Sequence, residues 1–232
     1  MRITNALIAA ATVFGLSGTA HAQVGSGMDG TLSFAYISAP DDDWDYVLNG
    51  NGSGVFSISP SIRAQADFGI FQYENDDDTY FAANIHVIMN AGEGFDLGAG
   101  YSASSYSDGF EETGVFVEAR YDTGQFALEG FVFQYLGDYS QYLDYGIEGS
   151  FALNDQFDVY VGYTAEVESG EQYLDNIYGG ARFDIGNGFH LDARAASMAE
   201  GDYNYYTIAI VKHFGNGRVF APRGYMNAFP GY

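Results

Sequence analysis

The chain of 232 residues contains no cysteine, and only 8 Lys and Arg residues stand against 31 Asp and Glu residues. The absence of cysteine excludes disulfide bonds, thiolate metal sites and cysteine nucleophiles. The formal net charge of −23 argues against nucleic acid as a partner, because phosphate contacts need clustered Lys and Arg side chains. It also argues against binding to an anionic membrane surface through a basic patch.

Long apolar runs are missing too. The one short run, residues 6–16, follows Arg2 and precedes the small-x-small sequence Ala20-His21-Ala22. It is shorter than the roughly 17–25 residues that a spanning helix needs. The pattern predicts a secretory signal peptide over residues 1–22 and an exported protein that begins near Gln23.

Glycine and aromatic residues are abundant, with 31 Gly, 20 Tyr and 19 Phe. A disordered acidic chain would be poor in aromatic residues, so the composition indicates a folded domain. The sequence FAANIHVIMN at residues 81–90 alternates apolar and mostly polar side chains, and this period of two predicts a β-strand. The same alternation recurs in FDLGAGYSAS, VFVEARY, FALEGFVF, YLDYGIEGSFAL, FDVYVGYTAEV, IYGGARFDI, FHLDARAA and YNYYTIAIVKHF.

Two kinds of connection alternate between these strands. Tight turns of Asn, Asp and Gly (NAGEG, DTG, NDQ and GNG) alternate with longer acidic stretches (SYSDGFEET, LGDYSQ, ESGEQYLD and AEGD). Short turns at one end and longer loops at the other are typical of outer-membrane β-barrels.

The front of the chain decides the number of strands. TLSFAYIS at residues 31–38 is predicted as the first strand, followed by a long loop, APDDDWDYVLNGNGSG. Residues 55–73 are predicted to form two strands that meet at Pro60, because proline lacks the N–H that an interior ladder needs. This division gives twelve strands. An even number places both ends of the barrel chain on the same side of the membrane, as in bacterial barrels. Ten strands is the alternative if residues 31–38 are not part of the barrel.

Charged side chains within the strands lie opposite the apolar stripe. An Arg or Lys that faced lipid at the midplane would cost about 2–4 kcal/mol, so these charges are predicted to line the lumen. Lys212 falls on the apolar face, but near a strand end from which it can reach the headgroups. The predicted lumen and selectivity residues are Arg63, Asp67, Glu118, Arg120, Glu129, Asp144, Glu148, Arg182, Asp192 and Arg194.

These features together resemble the small porin-type outer-membrane β-barrel proteins of proteobacteria. The final strand, YYTIAIVKHF, ends in an aromatic residue and resembles the signal read by the outer-membrane assembly machinery. The resemblance implies an all-β, transmembrane, antiparallel up-and-down barrel over residues 23–214. It places the protein in the outer membrane, in contact with lipid and lipopolysaccharide.

One departure from that family follows Phe214, where its members usually end. The sequence GNGRVFAPRGYMNAFPGY carries Arg218 and Arg223 and no acidic residue. It is either a periplasmic tail over residues 215–232, which we take as the prediction, or an extension in which Tyr232 is the true terminal aromatic.

Catalytic motifs are absent: the sequence has no GxSxG, HExxH, EF-hand or phosphate-binding glycine loop. His86, with Ser102 and Ser104 on the facing strand, is the only suggestion of a Ser–His pair. A histidine in a polar lumen wall is the preferred interpretation. We therefore predict neither an enzyme nor a cofactor.

The excess of acid on the predicted wall favours passive diffusion of small hydrophilic solutes, with a preference for cations. Inward Phe116, Phe131, Phe133 and Tyr160 should narrow the bore and keep the conductance small. The alternative is a non-conducting structural or adhesive barrel that acts through its acidic loops. In that case the pairs Glu118–Arg120 and Asp192–Arg194 would only neutralise a packed interior.

Two acidic runs, DDDWD at residues 41–45 and ENDDD at residues 74–78, could bind divalent cations, since carboxylate oxygens are the ligands that such cations prefer. The preferred interpretation is a solvated loop held open by its own charge. Bridging of divalent cations to lipopolysaccharide is an intermediate possibility.

Overall fold

Almost the whole described chain is β-strand. A computed structural model describes residues 29–38, 46–74, 79–106, 111–198 and 203–224. Within these ranges a short 3-10 helix, Gly137–Tyr139, is the only helix, and it is not long enough to cross a membrane. The strands are β1 Asp29–Ser38, β2 Tyr46–Ser59, β3 Ile62–Tyr73, β4 Thr79–Gly92, β5 Phe95–Tyr106, β6 Glu111–Asp122, β7 Phe126–Tyr135, β8 Tyr142–Asn154, β9 Phe157–Glu168, β10 Glu171–Gly186, β11 Phe189–Met198 and β12 Tyr203–Phe214.

The sheet closes on itself. Each strand pairs antiparallel with its neighbours in sequence, and β1 pairs with β12. In that seam Gly30 lies opposite Phe214 and Ser38 lies opposite Tyr206. Residues 31–38 are therefore a barrel strand, and the prediction of twelve strands rather than ten is confirmed. The predicted signal peptide, the acidic residues 41–45 and 75–78, and Tyr232 lie outside the described residues.

Pro60 lies in the turn between β2 and β3, as predicted. The backbone N–H of Ile62 donates to Ser59 Oγ at 3.1 Å, which closes a two-residue connection. Proline costs no ladder hydrogen bond at this position, because a turn residue does not pair across the sheet.

The two ends of the barrel differ. One end, called here the turn end, carries the tight connections at Glu93, Thr123, Asp155 and Asn187. Glu93 and Asn187 have positive φ angles of 51° and 56°, which short turns of this kind demand. The other end, called the loop end, is where β1, β3, β5 and β11 end at Ser38, Tyr73, Tyr106 and Met198. The connections that follow these strands, residues 39–45, 75–78, 107–110 and 199–202, lie outside the described residues. The predicted alternation of connections is thus confirmed in outline.

Two predicted loops are largely strand. The segment NGNGSG belongs to β2, and β9 joins β10 through Ser169 and Gly170 alone, so most of ESGEQYLD is paired. Gly52 shows why glycine is compatible with a strand here. The ring of Phe68, on β3, fills the space that a Cβ atom at Gly52 would occupy. Pairing with both neighbouring strands outweighs the low strand propensity of these residues.

The apolar face of each strand points outward. On β4, the side chains of Phe81, Ile85 and Val87 are 52%, 56% and 59% exposed, whereas Asn84 and His86 are buried inside the barrel. This arrangement is the inverse of a water-soluble sandwich and matches a barrel surrounded by lipid. The protein is therefore a membrane-spanning barrel of the outer-membrane class, as predicted.

Lys212 is the basic residue on this outer face. Its Nζ donates to the carbonyl oxygen of Asn187 in a turn, and it lies 4.4 Å from the centre of the Phe189 ring. The charge is thus held at the turn end among aromatic side chains, where a lysine can reach the headgroup region.

Candidate functional site

The lumen is the candidate site, and the structure places all ten predicted charged residues on its wall. They alternate with the lipid-facing side chains on β3, β6, β7, β8, β10 and β11, and most of them form direct hydrogen bonds with one another or with neighbouring lumen residues. The ten are Arg63, Asp67, Glu118, Arg120, Glu129, Asp144, Glu148, Arg182, Asp192 and Arg194.

A histidine lies between two carboxylates at the centre of the wall. His86 Nε2 is 2.6 Å from Asp67 Oδ2, and its Nδ1 is 2.6 Å from Glu118 Oε1. All three side chains are fully shielded from solvent. With both carboxyl groups ionised, each ring nitrogen must carry a hydrogen, so the imidazole is a cation here. Since both nitrogens are engaged by carboxylates, His86 has no nitrogen left to activate Ser102 or Ser104, and the Ser–His arrangement is not formed.

A second charged group lies on β8, β10 and β11. Arg182 donates to Glu148 at 3.0 Å and to Asp192 at 3.1 Å. The hydroxyl of Tyr178 donates to Glu148 at 3.1 Å, and that of Tyr160 donates to Asp192 at 2.6 Å.

Arg194 lies beside this group. Its Nε donates to the Tyr160 hydroxyl at 3.1 Å. Its guanidinium carbon is 5.0 Å from the centre of the Tyr160 ring and 4.7 Å from that of Tyr178. The arginine is thus held by the faces of two tyrosines as well as by a hydrogen bond.

Register, rather than spacing along one strand, selects several partners. The sequence suggested that Glu118 pairs with Arg120, but Arg120 bonds instead to Glu129 at 3.2 Å and to Asp122 at 2.7 Å. Arg120 and Glu129 are directly opposite each other on β6 and β7, as Arg182 and Asp192 are on β10 and β11. Opposite residues on paired strands have Cα atoms only about 4.5–5.5 Å apart, within reach of an arginine. Asp122, two residues along β6, is also within reach of Arg120.

The remaining two predicted residues lie towards the ends of the lumen. Arg63 bonds to Asp96 at 2.5 Å near the turn end. Asp144 accepts a hydrogen bond from the Tyr135 hydroxyl at 3.0 Å and lies directly opposite Glu166, towards the loop end. Within the described residues, no three His, Asp or Glu side chains are placed to hold a metal ion.

Apolar side chains cross the lumen in the half nearer the loop end. They come from β1 to β4 on one side and from β9 to β12 on the other, so they form a layer, called here the apolar layer. Its buried members are Ile37, Val47, Phe71, Ala82, Tyr160, Tyr178, Ala196 and Tyr205. Phe116, Phe131 and Phe133 form a second buried cluster, on the inner side of β6 and β7. The narrowing of the bore stays a prediction.

The chain after β12 enters the barrel. Gly215 and Gly217, with φ angles of 59° and 75°, turn it back from the end of β12, and Asn216 bonds to Asp29 through its backbone and its side-chain nitrogen. The backbone N–H of Arg218 then donates to Thr31 Oγ1 at 3.1 Å.

Beyond Arg218, polar side chains of the wall bind the backbone of the tail. Gln65 Oε1 accepts from the N–H groups of Val219 and Phe220 at 2.9 and 3.2 Å, and Gln65 Nε2 donates to the Phe220 carbonyl at 2.8 Å. Asn84 exchanges a similar pair of bonds with the N–H and carbonyl of Arg223. The expected periplasmic tail is thus replaced, over residues 215–224, by a segment inside the lumen.

Arg223 carries a positive charge into the middle of the barrel. Its Nε donates to Glu118 at 2.8 Å and its terminal nitrogen donates to Glu129 at 2.6 Å. The side chain is 2% exposed and lies 4.4 Å from the centre of the Phe131 ring. The sequence contained a signal for this contact, since the tail carries two arginines and no acid while the wall has an excess of acid.

A polar cavity remains between the tail and the wall at the turn end, with a volume of about 290 Å³. Turn residues Gly124 and Gln125 are part of its lining, so it reaches the rim of the barrel. Its lining includes the charged side chains of Arg120, Asp158, Arg182 and Arg218 and the imidazoles of His190 and His213. The space could hold water or a small polar solute.

Comparison with known proteins gives the fold. No protein-family model and no curated protein matches the chain. Among solved structures, the KdgM porin has a TM-score of 0.63 and 6% identity over 80% of this chain and 99% of its own. The NanC porin has a TM-score of 0.59 and 9% identity over 78% and 98%. The translocator domain of autotransporter NalP from Neisseria meningitidis has a TM-score of 0.55 and 14% identity over 91% and 98%. The chain thus has the fold of outer-membrane porins and translocators.

Proposed function

We propose that the protein is an outer-membrane channel for passive diffusion of small hydrophilic solutes, that it prefers cations, and that the arrangement described above is its closed state. The observation that carries this proposal is the nature of what fills the lumen. The wall is lined by charged groups, and the turn-end half is occupied by a chain end held by polar contacts rather than by part of the wall itself. Such an occupant can leave while the barrel stays intact.

The preference for cations follows from the wall charges. Nine carboxylates face four guanidinium groups along the strands, so the wall carries excess negative charge in a narrow, low-dielectric tube. The carboxylates are Asp67, Glu118, Glu129, Asp144, Glu148, Asp158, Glu166, Asp184 and Asp192, and the guanidinium groups are those of Arg63, Arg120, Arg182 and Arg194. Cations would be concentrated in this tube and anions repelled.

The structural neighbours support the channel class. One KdgM porin structure is described as a complex with oligogalacturonate, which is a polyanion. An acid-lined wall disfavours such a ligand, so we place the solutes of this protein among small cations and neutral polar molecules.

A second candidate is a non-conducting structural barrel, and the apolar layer favours it. Its buried side chains, among them Phe71 and Tyr178, belong to one apolar cluster inside the barrel, as expected of a packed interior. Swelling of proteoliposomes in isotonic solutions of small sugars and of potassium salts distinguishes the two. For protein truncated after Gly217, which lacks the segment that fills the turn-end half, the channel proposal expects swelling above that of empty liposomes. A rate equal to that of empty liposomes would favour the structural barrel.

The proposal includes three expectations about partners of the channel. Lipid contacts its outer face, lipopolysaccharide contacts its loop end, and the outer-membrane assembly machinery inserts it into the membrane. The acidic residues 41–45 and 74–78 are the candidate ligands for divalent cations. Removing divalent cations with a chelator and measuring release of the protein from outer-membrane vesicles would test this binding.

A further inference from the structure

The lumen wall makes polar contacts along the tail between Arg218 and Gly224, called here the plug segment. Gln65 and Asn84 each accept from and donate to its backbone, as an adjacent strand would. Both amides are buried and face inward on β3 and β4. Two buried amides that satisfy a backbone in this way form a built peptide-binding surface.

An aromatic contact lies between these two amides. Phe220 is completely buried, and its ring is parallel to that of His86, within 4°, at a centroid distance of 6.5 Å. A Cβ atom at Gly98 would be 2.9 Å from the Phe220 ring, so the glycine on β5 makes room for it. The wall is thus shaped to the side chain of the plug segment as well as to its backbone.

The charges also match. At the level of the plug, the wall carboxylates of Asp67, Glu118, Asp122 and Glu129 bond to only two wall cations, His86 and Arg120, so Glu118 and Glu129 need a further counter-charge. Arg223 supplies that counter-charge through its bonds to Glu118 and Glu129. Without Arg223, buried carboxylates would lose a partner, and water or a cation would have to take its place.

We infer that the plug segment is an intramolecular ligand of the lumen, which blocks the barrel from the turn end when docked and exposes an acidic, cation-attracting wall when it withdraws. The docking follows from the contacts alone. The consequence for permeation rests on the proposed function. Withdrawal breaks no bond of the sheet, because residues 215–224 are not paired with any strand.

Thiol labelling tests the docking, since the chain has no cysteine of its own. Ser102 is 2% exposed and faces the plug on β5, so a Ser102→Cys variant reports access to the wall that the plug covers. We expect a water-soluble maleimide to label it about tenfold faster or more when the chain is truncated after Gly217, because labelling then needs no local opening. Gln125→Cys, in an exposed turn, should label equally in both backgrounds. Equal rates for Ser102→Cys in the two backgrounds would overturn the inference.

A disulfide provides a test that does not depend on truncation. A Cβ atom at Gly224 would be 2.6 Å from Ser102 Oγ, so the full-length Ser102→Cys, Gly224→Cys variant should cross-link under mild oxidation. The matched pair Ser104→Cys with Gly224→Cys should not, because Ser104 lies about 6.6 Å farther along the strand. Failure of the first pair to form the disulfide, in protein that retains its heat-dependent gel shift, would contradict docking.

The same cross-linked protein separates this inference from the proposed function. With the disulfide formed, the swelling rate of proteoliposomes should fall below that of the uncross-linked protein, and reduction should restore it. If the disulfide forms but neither state, nor protein truncated after Gly217, permits swelling, the plug is docked and the channel proposal fails. If swelling is the same with and without the disulfide, the plug does not block the lumen and the inference fails.

Discussion

Arg223 donates a hydrogen bond to Glu118 across 105 residues of sequence, and both side chains are buried within the barrel. Glu118 also contacts His86, so one carboxylate joins the wall histidine to the C-terminal segment. A buried ion pair of this kind adds little net stability compared with an apolar pair, but the loss of one partner is costly. The contact therefore couples the position of the tail to the charge of the lumen.

A double-mutant cycle measures this contact. We expect Arg223→Gln and Glu118→Gln to show a coupling energy of about 1–3 kcal/mol in the free energy of unfolding, because each variant removes the partner of the other. Chemical denaturation in detergent micelles provides the measurement. The control cycle combines Arg223→Gln with Glu148→Gln, since Glu148 bonds to Arg182 and Tyr178 instead. That control should be additive within about 0.5 kcal/mol, and coupling of equal size in both cycles would argue against a specific pair.

The apolar layer depends on a glycine on β9. A Cβ atom at Gly162 would overlap the ring of Tyr178, whereas one at Gly149 would meet nothing closer than Leu128 at 3.8 Å. Gly162→Ala should lower the free energy of unfolding by about 1–3 kcal/mol, because it forces Tyr178 away from Glu148. Gly149→Ala should change it by no more than about 0.5 kcal/mol. Similar effects for both alanines would mean that Tyr178 is free to move.

The outer face is predicted to tolerate positive charge only near its ends. Val117, at the middle of β6, is 59% exposed on the outer face. Val117→Arg should destabilise the folded barrel in lipid by about 2–4 kcal/mol, because the charge would face hydrocarbon. Lys212→Arg keeps a charge among the aromatic residues at the turn end and should have little effect. Equal tolerance of both changes would contradict the placement of β6 in the membrane.

The orientation in the membrane is a separate prediction. Glu111, at the loop end, should face the cell exterior, and Thr123, in a tight turn, should face the periplasm. Both residues are exposed, so Glu111→Cys and Thr123→Cys are matched reporters. On intact cells an impermeant thiol reagent should label Glu111→Cys alone, and the reverse pattern would invert the topology.

Much of the barrel follows from local rules that the sequence displays. The alternation at Phe81–Asn90 assigns the two faces of β4, and Pro60 marks a turn because it lacks an N–H. What these rules miss is strand length. The Gly- and Asn-rich part of β2 has a weak strand propensity, and its pairing depends on Phe68 of another strand, which covers Gly52. Such tertiary compensation is not visible in a local pattern.

The sequence predicted which charged residues line the candidate site, but it did not predict which of them bond to one another. All ten predicted residues face the lumen, but the choice of Glu129 as a partner of Arg120 depends on the register between β6 and β7. Glu118 and Asp122 are equally spaced from Arg120 on β6, and Glu118 bonds instead to His86 and Arg223. The placement of the tail depends on contacts more than 100 residues apart, such as those of Arg223 with Asn84 and Glu118. In the sequence, only the positive charge of the tail indicated that it lies inside the acidic lumen.

Planar-bilayer recording of the purified protein in a potassium chloride gradient tests the central claim, a cation-preferring channel, most directly. The account predicts channels of small conductance whose reversal potential has the sign of cation preference. Truncation after Gly217 should increase the conductance and shift the reversal potential further in that direction, because Arg218 and Arg223 leave the lumen with the tail. Channels that prefer anions, or the absence of channels in both the full-length and the truncated protein, would contradict the account.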